Sequence, residues 1–126
     1  MGAPPLLSIQ LLGGFHLVHD GVRLAGFDSP RLQSFLAYLL LNRNAPQLRQ
    51  QIAFLFYPDS TEVQARANVR GLLRDLRQAL AASGFGSFLV ADGQTFQWRP
   101  EQPWRLAAGS NPEQGDLVWV WYFTTP

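Results

Sequence analysis

Residues 65–80 read ARANVRGLLRDLRQAL, and this stretch decides how the whole chain is interpreted. Its apolar residues recur at spacings of three and four, which predicts an amphipathic helix with one buried stripe. The stripe consists of Ala65, Val69, Leu72, Leu73, Leu76 and Leu80. The same helix carries four arginines against a single carboxylate, Asp75, so it is strongly basic.

The four arginines lie on one flank of this predicted helix, and we call them the arginine ridge. With Val69 at zero on a helical wheel, Arg66, Arg77, Arg70 and Arg74 fall at about 60, 80, 100 and 140°. The outermost positions belong to Ala67, Gly71 and Gln78, so the crest beside the ridge is low. Like charges four residues apart destabilise a helix by about 0.2–0.5 kcal/mol per pair. The ridge is therefore either a solvated face or a face that binds an anionic partner.

Composition narrows the class of protein. A length of 126 residues fits one domain, and 47% apolar with 15% charged residues is typical of an ordered globular protein. The absence of cysteine excludes disulfides and thiolate metal sites and favours a reducing compartment. No basic leader precedes Arg23, and the longest apolar runs, such as 35–41, are too short to span a bilayer. The sequence thus predicts a cytoplasmic protein with no membrane partner.

Positive charge is concentrated in one part of the chain. Residues 1–82 hold eight arginines and five carboxylates, a net charge of +3. Residues 83–126 hold two arginines and four carboxylates, a net charge of −2. The net charge of the whole chain is only +1, but residues 1–82 form a basic region that contains the arginine ridge.

The region before the arginine helix is predicted to form a sheet and two helices. Alternating apolar and polar residues between 7 and 26 predict a small antiparallel sheet with a tight hairpin at Asp20-Gly21. A first helix begins with Ser29 as N-cap and Pro30 in its first turn. A shorter second helix is expected from Leu48 to Phe56, before Tyr57-Pro58.

The arginine helix is the third. We expect it to begin after a capping box in which Asp59 is the N-cap and Glu62 its partner, and to continue from Thr61 to Ala82. A second hairpin, at about 88–99, turns at Asp92-Gly93. The predicted fold class is α+β, with an N-terminal antiparallel sheet, three helices and a C-terminal hairpin in one domain over residues 6–106.

Residues 107–126 are predicted to be an irregular aromatic tail. The stretch AGSNPEQG (108–115) has the composition of a linker, whereas LVWVWYFTTP (117–126) is rich in strand-forming and aromatic residues. Two interpretations stay open for this end, which are an added edge strand and a segment that binds an absent partner.

The order of elements gives the arginine ridge a candidate partner. A short helix, a tight turn, a longer helix and then a hairpin form the layout of a helix-turn-helix with a wing, in which the second of the two helices enters the major groove of DNA. Arginine side chains reach guanine O6 and N7 there or bind phosphates. This context favours DNA as the partner of the ridge.

Four segments resemble the DNA-binding domain of antibiotic-regulatory (SARP-type) bacterial transcription factors. They are LSIQLLGGFHLVHDG, SPRLQSFLAYLLLNRNAP, FYPDSTEVQARANVRGLLRDLRQAL and FLVADGQTFQWRP. The most specific features are Pro58-Asp59 before the long helix, the Ala-Arg-x-Asn-x-Arg pattern at 65–70, Leu76-Arg77, and the Asp-Gly-Gln-Thr sequence at 92–95. The resemblance covers about residues 6–106.

This resemblance implies an OmpR-like winged helix with a four-stranded N-terminal sheet. Such domains bind double-stranded promoter DNA, often as head-to-tail dimers on direct repeats, with the third helix in the major groove and the wing in the minor groove. RNA polymerase is then the candidate protein partner. Longer family members continue into a helical activator domain, for which this sequence has no matching residues. The positions that correspond to DNA contacts are Arg49, Arg66, Asn68, Arg70, Arg74, Arg77, Gln94 and Thr95.

Two positions depart from the family pattern. Leu48 stands where a serine or threonine often caps the second helix, and Phe54 replaces a residue that is usually polar. Exposed aromatic residues such as Phe54 support an alternative function, a degenerate winged helix that binds protein and no DNA.

The sequence gives no indication of catalysis. The nine carboxylates form no pair at helical spacing in an apolar setting, so no acid/base dyad is expected. His16 and His19 should point to opposite faces of a strand, and cysteine is absent, so no metal site is predicted. We expect a non-enzymatic protein without metal or cofactor.

Overall fold

The structure, a computed structural model, describes residues 7–11, 14–111 and 116–122. The elements in chain order are β1 (Leu7–Gln10), β2 (His16–His19), β3 (Val22–Arg23), α1 (Pro30–Leu41), β4 (Gln47–Leu48), α2 (Arg49–Phe56), α3 (Glu62–Ala81), β5 (Leu89–Ala91), β6 (Thr95–Trp98), β7 (Trp104–Asn111) and β8 (Asp116–Tyr122). They divide into two compact units, Asp28–Arg99 and the remainder, Met1–Phe27 with Pro100–Pro126.

The unit made of Met1–Phe27 and Pro100–Pro126 is called the first unit. It contains a five-stranded sheet in the order β3-β2-β1-β7-β8. The first three strands are antiparallel, and Asp20 and Gly21 both adopt positive φ angles (52° and 77°) in the turn between β2 and β3. This is the tight hairpin that the Asp-Gly pair predicts. Strand β7 pairs parallel to β1, with Leu7 opposite Trp104. The apolar side chains of the sheet that are buried include Leu7, Ile9, Leu17 and Leu106.

The C-terminal segment differs from the irregular tail that the sequence predicts. Residues 107–111 complete β7, and residues 116–122 form β8, which pairs antiparallel with β7 along its length. The alternative of an added edge strand fits this pairing, because β8 lies at the end of the sheet order. Residues 112–115 and 123–126 of the predicted tail lie outside the described residues.

The second unit begins with the two predicted helices. Ser29 caps α1, since its hydroxyl accepts a hydrogen bond from the Leu32 amide at 3.4 Å, and Pro30 is the first helical residue. Leu48 stands at the N-cap of α2 and provides no side-chain hydrogen bond. The helix therefore begins without a side-chain cap, and the residues directly before it are held by the pairing of β4 with β6.

The cap of α3 corrects the sequence prediction. Thr61, not Asp59, is the N-cap, and its hydroxyl accepts a hydrogen bond from the Gln64 amide at 3.1 Å. Asp59 lies in the turn before the helix, which the Ser60 amide closes onto the Tyr57 carbonyl at 3.3 Å. Glu62 consequently occupies the first helical position. Its negative charge interacts favourably with the positive end of the helix dipole there, but its side chain is too close to the N-cap in sequence to complete a capping box.

Aromatic rings join the helices to the C-terminal hairpin, formed by β5 and β6 and called the wing below. Phe35 of α1 meets the rings of Phe56 and Phe96 edge to face, at centroid distances of 6.1 and 5.6 Å. Phe88 contacts Trp98 in the same way at 5.6 Å. Strand β4 adds a third strand to the wing, with Leu48 opposite Thr95. The wing is thus packed onto the helices through buried rings.

Two glycines of the second unit provide a test of its backbone. Gly84 follows α3 with φ of 87°, whereas Gly93 at the wing tip has no positive φ, and a Cβ at either position would meet no atom within 4 Å. Gly84→Ala is expected to lower the free energy of unfolding by about 1 kcal/mol because the left-handed region disfavours a Cβ. Gly93→Ala should change it by less than about 0.5 kcal/mol. Urea unfolding would check both, and equal losses would contradict the assigned φ angles.

Candidate nucleic-acid interface

The rotation of α3 is set by its apolar stripe. Val69, Leu72, Leu73, Leu76 and Leu80 are all at most 7% exposed, as their spacing predicts. All four arginines of the ridge are exposed on the same helix. The structure therefore brings the arginine ridge together on one accessible flank.

The charges of the ridge are only partly balanced by neighbouring carboxylates. Arg66 pairs with Glu62 at 2.5 Å, and Arg74 lies 3.6 Å from Asp75. Both pairs are more than half exposed, so each contributes about 1 kcal/mol or less and can exchange its partner. Among the described residues, Arg70 and Arg77 have no ion-pair partner.

Asn68 lies on the other side of the helix crest. Its Oδ1 accepts a hydrogen bond from the Gln64 side-chain amide at 2.8 Å, one turn earlier. This contact fixes the orientation of the Asn68 amide, whose NH₂ group keeps its donor capacity. Gly71 lies between Asn68 and the ridge, and it leaves the crest low because it has no side chain. A Cβ at this position would lie 3.7 Å from the Arg74 guanidinium.

A groove runs between α3 and the wing. It is lined by Leu48, Arg49, Gln50, Arg66, Val69, Arg70, Gly93 and Gln94. Four of the predicted contact positions therefore meet here, the three arginines and Gln94, and Thr95 follows Gln94 in the wing. Arg74 and Asn68 instead line a second groove, on the α1 side of α3, together with Arg70. Arg77 lines neither groove.

Arg49 is attached to the wing. Its guanidinium donates a hydrogen bond to the Asp92 carbonyl oxygen and lies 4.6 Å from the centre of the Phe96 ring. Burial lowers the pKa of Arg49, and the positive charges of Arg77 and Arg70 lower it further, while Asp92 acts in the opposite direction. The start of α2 and the ridge thus place three guanidinium groups near one another, a cluster whose mutual repulsion an anion would relieve.

The wing turn is closed by the Asp92 side chain. Its carboxylate accepts hydrogen bonds from the Gln94 and Thr95 amides, each at 2.7 Å, and from the Thr95 hydroxyl at 3.2 Å. The bonds from Gln94 and then Thr95 lower the pKa of Asp92. Unlike the first hairpin, this turn uses an aspartate side chain and not a positive φ angle. The Gln94 side chain is left exposed.

Arg31 is a residue that the sequence interpretation missed. It lines the α1-side groove with Arg70 and Arg74. Its guanidinium donates to the Phe56 carbonyl and lies 4.7 Å from the centre of the Tyr57 ring, which ties the end of α2 to the start of α1. No sequence pattern indicated this, because the contact joins residues 25 positions apart.

An apolar surface surrounds the turn between α2 and α3. Phe54 is 74% exposed and Val63 78% exposed, and Leu48 and Leu55 are about half exposed. Phe54 and Leu48 line a groove of about 530 Å³ whose other borders include Pro58, Glu62 and Arg66. The exposure that the sequence predicted for Phe54 is confirmed, and we call these four residues the apolar patch.

Within the described part of the chain, no group of three or more His, Cys, Asp or Glu side chains could hold a metal ion. The helices of this part are also too short or too polar for any of them to traverse a lipid bilayer.

Comparison with known proteins identifies the fold. A solved structure of Mycobacterium tuberculosis EmbR in complex with a low-affinity phosphopeptide superposes with a TM-score of 0.61 over 75% of this chain, at 24% sequence identity. The fold is an α+β winged helix. The matched region corresponds to 25% of the EmbR chain, so the present chain spans about a quarter of its length. No protein-family model and no curated protein matches the sequence.

The wing turn should respond to pH only in strongly acid solution. Its hydrogen bonds hold the pKa of Asp92 below the ordinary value of 3.8, so the carboxylate stabilises the turn at every pH above 3.8. The stabilisation is lost as the pH falls below that value through the lowered pKa. In NMR titrations, the Gln94 and Thr95 amide signals are expected to shift together with a midpoint below 3.8. Asp92→Asn should abolish the transition, and a midpoint above 3.8 would contradict the assigned bonds.

Proposed function

We propose that this protein binds double-stranded DNA in a sequence-specific manner and regulates transcription. The observation that carries the proposal is the exposed arginine ridge of α3 beside a low crest and next to the wing. The winged-helix fold supports the proposal, since this fold presents such a helix to the major groove. Promoter binding would place the protein in the bacterial cytoplasm.

The dimensions of α3 suit this role. A helix with its side chains is about 10–12 Å across, and the major groove is about 12 Å wide. The low crest at Gly71 lets the backbone approach the base edges, while the ridge lies along one side of the helix. In this arrangement the wing would follow the adjacent minor groove.

The proposed contacts divide by chemistry. Arg66 and Arg70 lie in the first half of α3 and are suited to guanine edges, and Asn68 is suited to adenine N6 and N7. Arg74 and Arg77, farther along the ridge, are suited to phosphates. Gln94 and Thr95 of the wing would contact the minor groove or its sugars, with Arg49 near the phosphates between them. Pairs of molecules bound head to tail on direct repeats would extend the site.

Salt dependence and one charge reversal test DNA binding. With Arg74 and Arg77 on phosphates and Arg66 and Arg70 on base edges, affinity for duplex DNA should fall roughly tenfold between 50 and 200 mM salt, since each phosphate contact contributes about −0.9 to the logarithmic slope. A fall of roughly a hundredfold would indicate that all four arginines of the ridge meet phosphates. Arg70→Glu should abolish the complex in fluorescence anisotropy because it places a negative charge, which repels the DNA backbone, in the middle of the ridge. The matched control, Arg23→Glu, makes the same charge change in the other unit and should leave most of the affinity. Equal losses would indicate a net-charge effect and count against the proposed surface.

The apolar patch favours a second, compatible function, which is binding of a protein. Its groove borders Glu62 and Arg66 at the start of α3, so a protein docked there would lie directly beside DNA held by the ridge. RNA polymerase is the protein that occupies promoter DNA, and we propose it as the occupant. Without DNA binding, the same patch would serve the alternative of a winged helix that acts only through protein contacts.

Phe54→Gln tests this second function. The side chain is 74% exposed, so its replacement should leave the melting temperature and DNA affinity nearly unchanged. Binding of purified RNA polymerase, measured by surface plasmon resonance, is expected to weaken at least about tenfold, as for an exposed aromatic anchor. Leu41→Gln, at a position 63% exposed at the end of α1, is the control. Unchanged polymerase binding by Phe54→Gln would exclude the patch, and polymerase binding by a chain that binds no DNA would favour the alternative function.

A further inference from the structure

The tip of the wing is held by one residue from outside the hairpin. The Arg49 backbone N–H donates to the Gln94 carbonyl at 2.8 Å, and its guanidinium donates to the Asp92 carbonyl. Within the described part of the chain, these are the hydrogen bonds that reach residues 92–94 from outside the wing. The central carbon of the same guanidinium lies over the Phe96 ring, which is fully buried, at 4.6 Å from the ring centre. Arg49 therefore contacts Asp92 and Gln94, on either side of the wing turn, and Phe96 at the base of the turn.

These contacts continue the pairing between β4 and the wing. The ladder itself is short, with Gln47 opposite Phe96 and Leu48 opposite Thr95. Arg49 begins α2, so it extends the ladder by one backbone hydrogen bond and then by its side chain. A two-residue ladder at a sheet edge provides little stability by itself. The side chain of Arg49 supplies the remaining attachment of the tip.

The geometry of Arg49 differs from that of a side chain devoted to phosphate. Its Nε is buried without a hydrogen-bond partner, and one terminal nitrogen is engaged by the Asp92 carbonyl. The guanidinium therefore uses one terminal N–H and its contact with the Phe96 ring, and a lysine side chain has no planar group for this arrangement. The tip that it holds borders the same groove as Arg66 and Arg70.

We infer that Arg49 is a positioning residue, which fixes the wing tip beside α3 before DNA binds. The inference rests on the proposed function for its consequence in DNA binding, but the attachment of the wing is a property of the free protein. A wing fixed in advance loses less conformational freedom on binding, so α3 and the wing meet DNA as one preformed surface. Arg49 thereby strengthens binding through Gln94 and Thr95, and not mainly through a phosphate contact of its own.

Hydrogen exchange in the full chain without DNA tests the attachment. Arg49→Lys keeps the charge but loses the planar guanidinium, and Arg49→Gln loses the charge as well. Both are expected to accelerate amide exchange at Asp92 and Thr95 at least about tenfold, with amides of α1 and α3 unaffected. Arg99→Lys, the same exchange of side chains at an exposed position after the other end of β6, should leave the wing amides unchanged. Unaltered exchange at the tip in Arg49→Lys would overturn the inference.

DNA binding of the same variants separates positioning from a phosphate contact and from a purely structural role. For a positioning residue, Arg49→Lys and Arg49→Gln lose similar affinity for mixed-sequence duplex DNA, by about tenfold, and the salt slope stays that of the parent protein. For a phosphate contact, Arg49→Lys retains affinity and Arg49→Gln lowers the slope by about one, which would overturn the inference. Faster wing exchange with unchanged affinity would overturn it too. Absence of DNA binding by the parent protein would refute the proposed function, and the exchange experiment would still decide whether Arg49 holds the wing.

Discussion

Burial of the apolar stripe of α3 is the constraint on which the rest of the structure depends. Each fully buried leucine or valine side chain stabilises the fold by about 1.5–3 kcal/mol, whereas repulsion between neighbouring arginines is about 0.2–0.5 kcal/mol per pair. With Leu76 and Leu80 completely buried, the helix cannot rotate to disperse its charges. The arginines remain aligned on one flank because the core prevails over electrostatics. An accessible basic surface follows from packing alone.

The second unit also couples the elements of the candidate interface through its core. Phe35 of α1 contacts Phe56 at the end of α2 and Phe96 in the wing. One buried ring therefore contacts both α2 and the wing, the two elements that border the candidate interface. The guanidinium of Arg49 in turn lies over the ring of Phe96. A change in the position of the wing would disturb this ring cluster and thereby the helices. The candidate interface therefore has the rigidity of the hydrophobic core beneath it.

The sequence predicted the features that depend on residues close together in the chain. The stripe of α3, the Ser29 cap and the Asp20-Gly21 hairpin are all encoded within a few positions. The cap of α3 was assigned wrongly because Asp59, Ser60 and Thr61 are all good capping residues, and the turn onto the Tyr57 carbonyl leaves the role to Thr61. Long-range contacts could not be predicted. Strand β7 pairs with β1 almost a hundred residues away, and Arg49 meets Asp92 across 43 positions.

The ion pair between Arg66 and Glu62 bears on how the proposed interface would read sequence. A carboxylate at 2.5 Å from the guanidinium makes close approach of a phosphate less favourable, since the phosphate would meet Glu62 as well. The remaining N–H groups of Arg66 stay available, because one carboxylate oxygen engages only part of the five donors. Neutral base edges, which Glu62 does not repel, are then the better acceptors for Arg66. Arg77, which has no ion-pair partner among the described residues, is better suited to phosphate, so the uneven pairing along the ridge would itself separate base recognition from backbone binding.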